Sequence, residues 1–167
     1  MKRVLMLASV ASMIDQFNMP NIALLQKLGY QVDVTCNFIE GNTCSDERVA
    51  ELKQKLQDMH VRCYQIDFAR NIKHMGQNMR ALRQVEGLMK QNGYAFCHCH
   101  SPIGGVVARI AGHRTRTKVI YTAHGFHFYQ GAPVMNWLVY YPVEKVLSRW
   151  TAVSYTHLRA HETGAYL

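Results

Sequence analysis

Apolar and polar positions along this 167-residue chain switch repeatedly between two patterns. Short apolar runs alternate with longer stretches whose apolar residues recur every three or four positions, the signatures of strand and amphipathic helix. Val4 to Ala8 predicts a buried strand. Its start, Met1-Lys2-Arg3, has a superficial likeness to a signal peptide, but the run is short and Asp15-Gln16 follow closely. Asn21 to Leu28 predicts a helix stopped at Gly29. Val32 to Cys36 is the next strand. Ser45 is placed to cap a helix from Asp46 to Gln57, with acidic Asp46-Glu47 in its first turn and Leu52 and Leu56 on one face. Val61 to Ile66 is a third strand. Ile72 to Lys90 is a longer helix with Met75, Met79, Leu82 and Leu88 as its stripe, ended by Asn92-Gly93. Tyr94 to His100 is a fourth strand, Pro102 to Ala111 a helix, Lys118 to Ala123 a fifth strand, and Leu138 to Arg149 a last helix.

Strands alternating with helices imply parallel βαβ units, and right-handed crossovers wind them into an α/β fold, a Rossmann-like doubly wound parallel sheet. No internal repeat or low-complexity linker divides it. After Trp150-Thr151 the periodicity stops. Val153 to Thr163 has no clear period, and 152–167 resembles translated adaptor read-through at the end of a truncated gene. The expectation is therefore one domain over 1–151 and a non-native tail, 152–167, outside the fold.

Composition narrows the function classes. Hydrophobic residues make up 49% of the chain, which fits a globular core and argues against disorder. No apolar run reaches the ~18 residues of a membrane-spanning helix. The formal net charge of +8 suits nucleic acid, anionic lipid headgroups or a phosphorylated substrate. The basic residues are scattered, however, apart from His113 to Lys118, and form no stripe interleaved with aromatics. Nucleic acid is therefore not an expected partner. The odd count of five cysteines, without a secretion signal, suggests reduced thiols and a cytoplasmic protein.

The most informative stretch is Val119 to Tyr129. A β-branched strand breaks into His124-Gly125 and then into aromatics. Gly125 lets the backbone turn sharply, leaving His124 at the carboxyl end of the strand, the edge where ligands bind in open α/β sheets. An imidazole there can exchange protons near neutral pH, or it can be a structural histidine bonded in a loop. The loop after the first strand, Ser9 to Pro20, lies on the same edge and contains no glycine, so a dinucleotide fingerprint is absent. Asp15, Gln16 and Asn18 can bind sugar hydroxyls, or the loop can be an ordinary polar connection. In Cys97-His98-Cys99-His100, strand alternation puts the cysteines on one side and the histidines on the other, which weakens a zinc reading. His100 ends that strand, before Ser101-Pro102-Ile103-Gly104-Gly105. Backbone amides there can hold an anion, or the glycines can serve tight helix–sheet packing. Phe126, Phe128, Tyr129, Trp137, Tyr140 and Tyr141 can stack on a sugar ring, face a membrane or fill a core.

His98-Cys99-His100-Ser101-Pro102-Ile103-Gly104-Gly105 and Thr122-Ala123-His124-Gly125-Phe126-His127-Phe128-Tyr129, with Gly131-Ala132-Pro133, Tyr140-Tyr141-Pro142 and the opening Val4 to Phe17, resemble the N-terminal domain of glycosyltransferase family 4. The match is to the bacterial capsular and exopolysaccharide branch and covers about Met1 to Thr151. The resemblance implies one half of a GT-B enzyme, whose cleft lies between two Rossmann-like domains. It implies metal-independent transfer, usually retaining, with no cofactor. His124 inherits the role of a histidine near the reacting sugar. Asp15, Gln16, His100, Ser101, Gly104, Gly125 and Phe126 are the expected substrate-binding residues. The loop Ser12 to Phe17 lacks the Gly-Gly that many members place over the phosphates. The nucleotide-sugar donor would bind the missing C-terminal domain, and the acceptor would be lipid-linked or a growing glycan. The isolated chain is therefore expected to be inactive. It would work in the cytoplasm, with an anionic inner membrane face as a further partner. The alternative is a non-catalytic module that binds a glycan or anionic lipid.

Overall fold

Alternation along the first strand decides the layering. In β1 (Arg3–Val10), Leu5 and Leu7 point to one face of the sheet, and Met6 and Ala8 to the other; all four are fully buried. Only a central strand covered on both faces shows that pattern, which suits a parallel sheet. The computed structural model of the protein describes residues 1–69, 74–100, 102–125 and 128–156. Its other strands are β2 (Gln31–Asn37), β3 (Arg62–Gln65), β4 (Phe96–His100), β5 (Lys118–Ala123) and β6 (Val153–Thr156). They form one parallel sheet in the order β3-β2-β1-β4-β5-β6. The helices are α1 (Ala11–Met13), α2 (Met19–Lys27), α3 (Asp46–Asp58), α4 (Met75–Asn92), α5 (Pro102–Thr115) and α6 (Val134–Ser148). One core layer joins Met6, Val32 and Val34 to Ile14, Ile22, Leu52 and Leu56. The other joins Leu5, Cys97, Val119 and Tyr121 to Leu82, Val85, Val107 and Ala111. The α/β doubly wound fold expected from the sequence is the fold observed.

Several expectations need correction. The chain is helical from Ala11, not from Asn21, and a wide π-turn, Ile14–Asn18, joins α1 to α2. Pro20 explains the widening. It has no N–H to donate back, and its ring would strike the carbonyl of Gln16 in a regular turn. The side-chain Nδ2 of Asn18 donates to the Met13 carbonyl at 3.1 Å and braces this turn. In α4 the buried face is Ala81, Leu82, Val85, Leu88 and Met89, whereas Met75 and Met79 are exposed. Residues 72–73 lie outside the described residues. Helix α6 starts at Val134 and buries only Leu147, with Leu138, Tyr141 and Val146 exposed. A helix apolar on all sides offers no period that singles out its packed face.

The segment after Thr151 is also not wholly apart from the fold. β6 pairs in parallel with β5, from Ile120 opposite Val153 to Ala123 opposite Thr156. Four residues are too few for a period to be read, but β5 presents a free row of backbone groups that such a strand can satisfy. The rest of that segment, 157–167, lies outside the described residues.

Candidate functional site

The strand order reverses between β1 and β4. Connections leaving these neighbours diverge to opposite faces and open a crevice at their carboxyl ends. Strand alternation brings three imidazoles there. Cys97 and Cys99 point into the α4–α5 core, so His98 and His100 face the other way, as their spacing predicts. On the neighbouring strand Tyr121 and Ala123 share the cysteine side, which leaves Thr122 and His124 beside the histidines. His98 Nε2 lies 2.9 Å from Thr122 Oγ1. The His98 and His100 rings are 4.3 Å apart by centroid. His100 Nδ1 lies 3.1 Å from His124 Nε2, and the Phe17 ring packs 4.9 Å from that of His124. With Phe17, Asn21 and Val153 the three histidines line a cavity of about 470 Å³.

Burial sets the charge of this cluster. Desolvation, with the nearby His124, lowers the pKa of His98 to about 4. Desolvation, then His98 and His124, lowers that of His100 to about 3. Both rings are neutral at physiological pH, since a charged ring would lose hydration that no carboxylate here replaces. A neutral imidazole can donate one hydrogen bond and accept another. Beside it Phe17 offers an apolar face on which a sugar ring can lie.

The expected site residues divide by this geometry. His100 and His124 come together at the cavity. Gly125 follows with φ of 141°, where a side chain would be strained although nothing lies within 4 Å of its missing Cβ. Gly104 is buried in the first turn of α5. Its neighbour Gly105 serves packing, because a Cβ there would sit 2.4 Å from Tyr121 Cε2. Asp15 is turned toward α3, where it holds Arg48 at 2.8 Å, and Gln16 is exposed. Neither lines the histidine cavity. The amides of Ala11 and Ser12, which could have met a phosphate, donate to Asn42 Oδ1 at 2.7 and 3.3 Å. Ser101 and Phe126 lie outside the described residues. Among the described residues no group of three or more His, Cys, Asp or Glu is arranged to hold a metal ion.

Two features escaped the sequence reading. Phe17 and Asn21, rather than Asp15 and Gln16, carry the first helical segment into the cavity. Arg109, 1% exposed, pairs with Glu144 through two bonds of 2.7 and 2.8 Å, donates to the Gly105 carbonyl, and stacks on Tyr121. The signal was an arginine within a glycine-rich apolar helix and a lone acid in apolar α6. A second cavity, of about 460 Å³, lies between α4, α5 and α6 beside Gly125, and is walled by apolar groups such as Ile103, Val106, Phe128 and Val139.

Residues 19–162 match the model of the glycosyl transferase 4-like domain. The chain belongs to this family. This glycosyl transferase 4-like chain is 37% identical over 153 residues to "Putative glycosyltransferase EpsD" of Bacillus subtilis (strain 168), an overlap that takes in 90% of this chain and 36% of that protein. The chain thus spans little more than a third of that relative's length. The solved structure of Acinetobacter baumannii MurG is similar at 18% identity and a TM-score of 0.63, over 95% of this chain and 41% of that one. Anabaena Alr3699/HepE, solved with UDP and glucose, is similar at 14% identity and 0.58, over 92% and 37%. The fold is that of the N-terminal, Rossmann-like half of a GT-B glycosyltransferase.

Proposed function

We propose that this domain is the acceptor-side half of an enzyme that moves a sugar from a nucleotide-sugar to a lipid-linked or growing polysaccharide acceptor. The observation that carries the reading is His124, set at the carboxyl edge of the sheet in a cavity with a neutral imidazole on one side and an aromatic ring on the other. Such a group can hold a sugar hydroxyl or a phosphate oxygen as charge develops on the donor, and positioned polar groups supply much of the rate in such sites. The donor would sit on a second domain across the cleft; that HepE, of similar fold, was solved with UDP and glucose supports a nucleotide-sugar as that donor. A lipid-linked acceptor is supported by the apolar cavity beside Gly125 and by the exposed apolar residues of α6, among them Val134, Met135 and Leu138. Aromatic and apolar side chains of this kind can also rest on an anionic membrane surface.

Half of a cleft positions only one substrate, so the isolated chain should not turn over. In a two-domain parent, His124→Ala should lower kcat by roughly 10²-fold, the scale for losing one positioned polar group. Sugar transfer from a panel of nucleotide-sugars to a lipid-phosphate acceptor checks both. Turnover by the 167-residue chain above a heat-killed control, or near-full activity of the His124→Ala parent, would refute this account. A parent that binds glycan or anionic lipid without any turnover would favour a binding module.

A further inference from the structure

Among the described residues, His100 alone has a buried side-chain polar atom with no hydrogen-bond partner, its Nε2. The side chain is 1% exposed. Its other nitrogen, Nδ1, faces His124 Nε2 at 3.1 Å. At that separation one nitrogen donates and the other accepts. Burial keeps His100 neutral at physiological pH, so only one of its nitrogens carries a hydrogen. Were it Nε2, a sealed N–H would be left without an acceptor. Orphaned N–H groups are rarer in protein interiors than unused lone pairs, because the donor forfeits its one bond. The hydrogen therefore belongs on Nδ1, which donates to His124. His124 Nε2 is then the acceptor, and a neutral His124 must carry its own hydrogen on Nδ1. That is the reverse of the tautomer a free histidine side chain prefers in water.

We propose that His100 is a positioning residue for His124: it fixes the ring and holds it in the Nδ1–H tautomer. The inference rests on the sugar-transfer reading for its purpose, and it changes the chemistry of that site. With Nε2 already accepting from His100, the neutral ring of His124 has no lone pair left with which to take a proton, so it does not serve as a base. Phe17 against the ring of His124, and His98 against that of His100, supply walls that restrain both rings.

The test is a long-range proton–nitrogen correlation spectrum of the whole chain, labelled with ¹⁵N-histidine, near neutral pH. A His124→Gln variant assigns the His124 signals. The expected result is a protonated, pyrrole-type Nδ1 and an unprotonated, pyridine-type Nε2 for His124, with His100 also protonated at Nδ1. A His124 protonated at Nε2 overturns the proposal. His100→Ala should then release His124 toward the Nε2–H form, whereas His100→Gln, which retains a donor, should hold it as Nδ1–H. An unchanged tautomer in folded His100→Ala overturns the positioning role. If that variant does not fold, the wild-type and His100→Gln spectra still decide. No sugar transfer enters the readout, so loss of the transferase reading and loss of this proposal are told apart.

Discussion

Acidification should destabilise this protein well before its carboxylates begin to titrate. The cause is the pair His98 and His100, which burial holds at about 4 and about 3 against about 6.5 for an exposed histidine. Both values are lowered in the fold. The unfolded chain therefore takes up protons that the folded chain refuses, and stability rises with pH wherever the unfolded state binds more. The neutral-ring contribution is whole above about pH 6.5, is lost as pH falls below it, and stops changing once the folded rings titrate near 4 and 3. Well inside that window each histidine contributes at most about 1.4 kcal/mol per pH unit. Allowing for the bend near 6.5, the two together should cost about 2 kcal/mol between about pH 6 and 5. That is a large share of the 5–15 kcal/mol typical of a domain. Urea unfolding followed by circular dichroism at closely spaced pH values measures it. A double variant, His98→Gln with His100→Gln, should lose most of the slope. Wild-type stability flat to within about 0.5 kcal/mol over that interval would refute the argument, since buried neutral rings cannot coexist with proton-independent unfolding.

The remaining predictions concern packing. Ending the chain at Thr151 removes β6 and bares the edge of β5; we expect a cost of about 1–2 kcal/mol, read as a fall of roughly 3–6 °C in Tm by calorimetry. An unchanged Tm would show that β6 adds nothing to the domain. Glu144→Ala strands the buried Arg109 guanidinium and should cost about 3 kcal/mol in denaturant unfolding. The pair replaced together, Arg109→Met with Glu144→Leu, should cost clearly less, because no uncompensated charge remains. Equal losses would mean that packing, not charge, dominates there.

The sequence by itself determined what lies within one element. Alternation in Cys97-His98-Cys99-His100 placed the cysteines in one layer and the histidines on the opposite face. The Ser45 cap, whose oxygen accepts from the Arg48 amide at 3.3 Å, and the turn at Gly125 were equally legible. So was the βα order that yields a parallel sheet. These follow from backbone periods of 2 and 3.6 and from local capping, which need no knowledge of neighbours. Tertiary structure alone decided what crosses between elements. His100 meets His124 only because β4 and β5 pair with His100 opposite Thr122. Asn42, from the loop after β2, takes the amides at the start of α1 that a phosphate might have used. Arg109 finds Glu144 from 35 residues away, and β6 joins the sheet through backbone groups that carry no sequence signature. Register, crossover and edge pairing are relations between segments far apart along the chain, and a periodic pattern reports only the faces of its own segment.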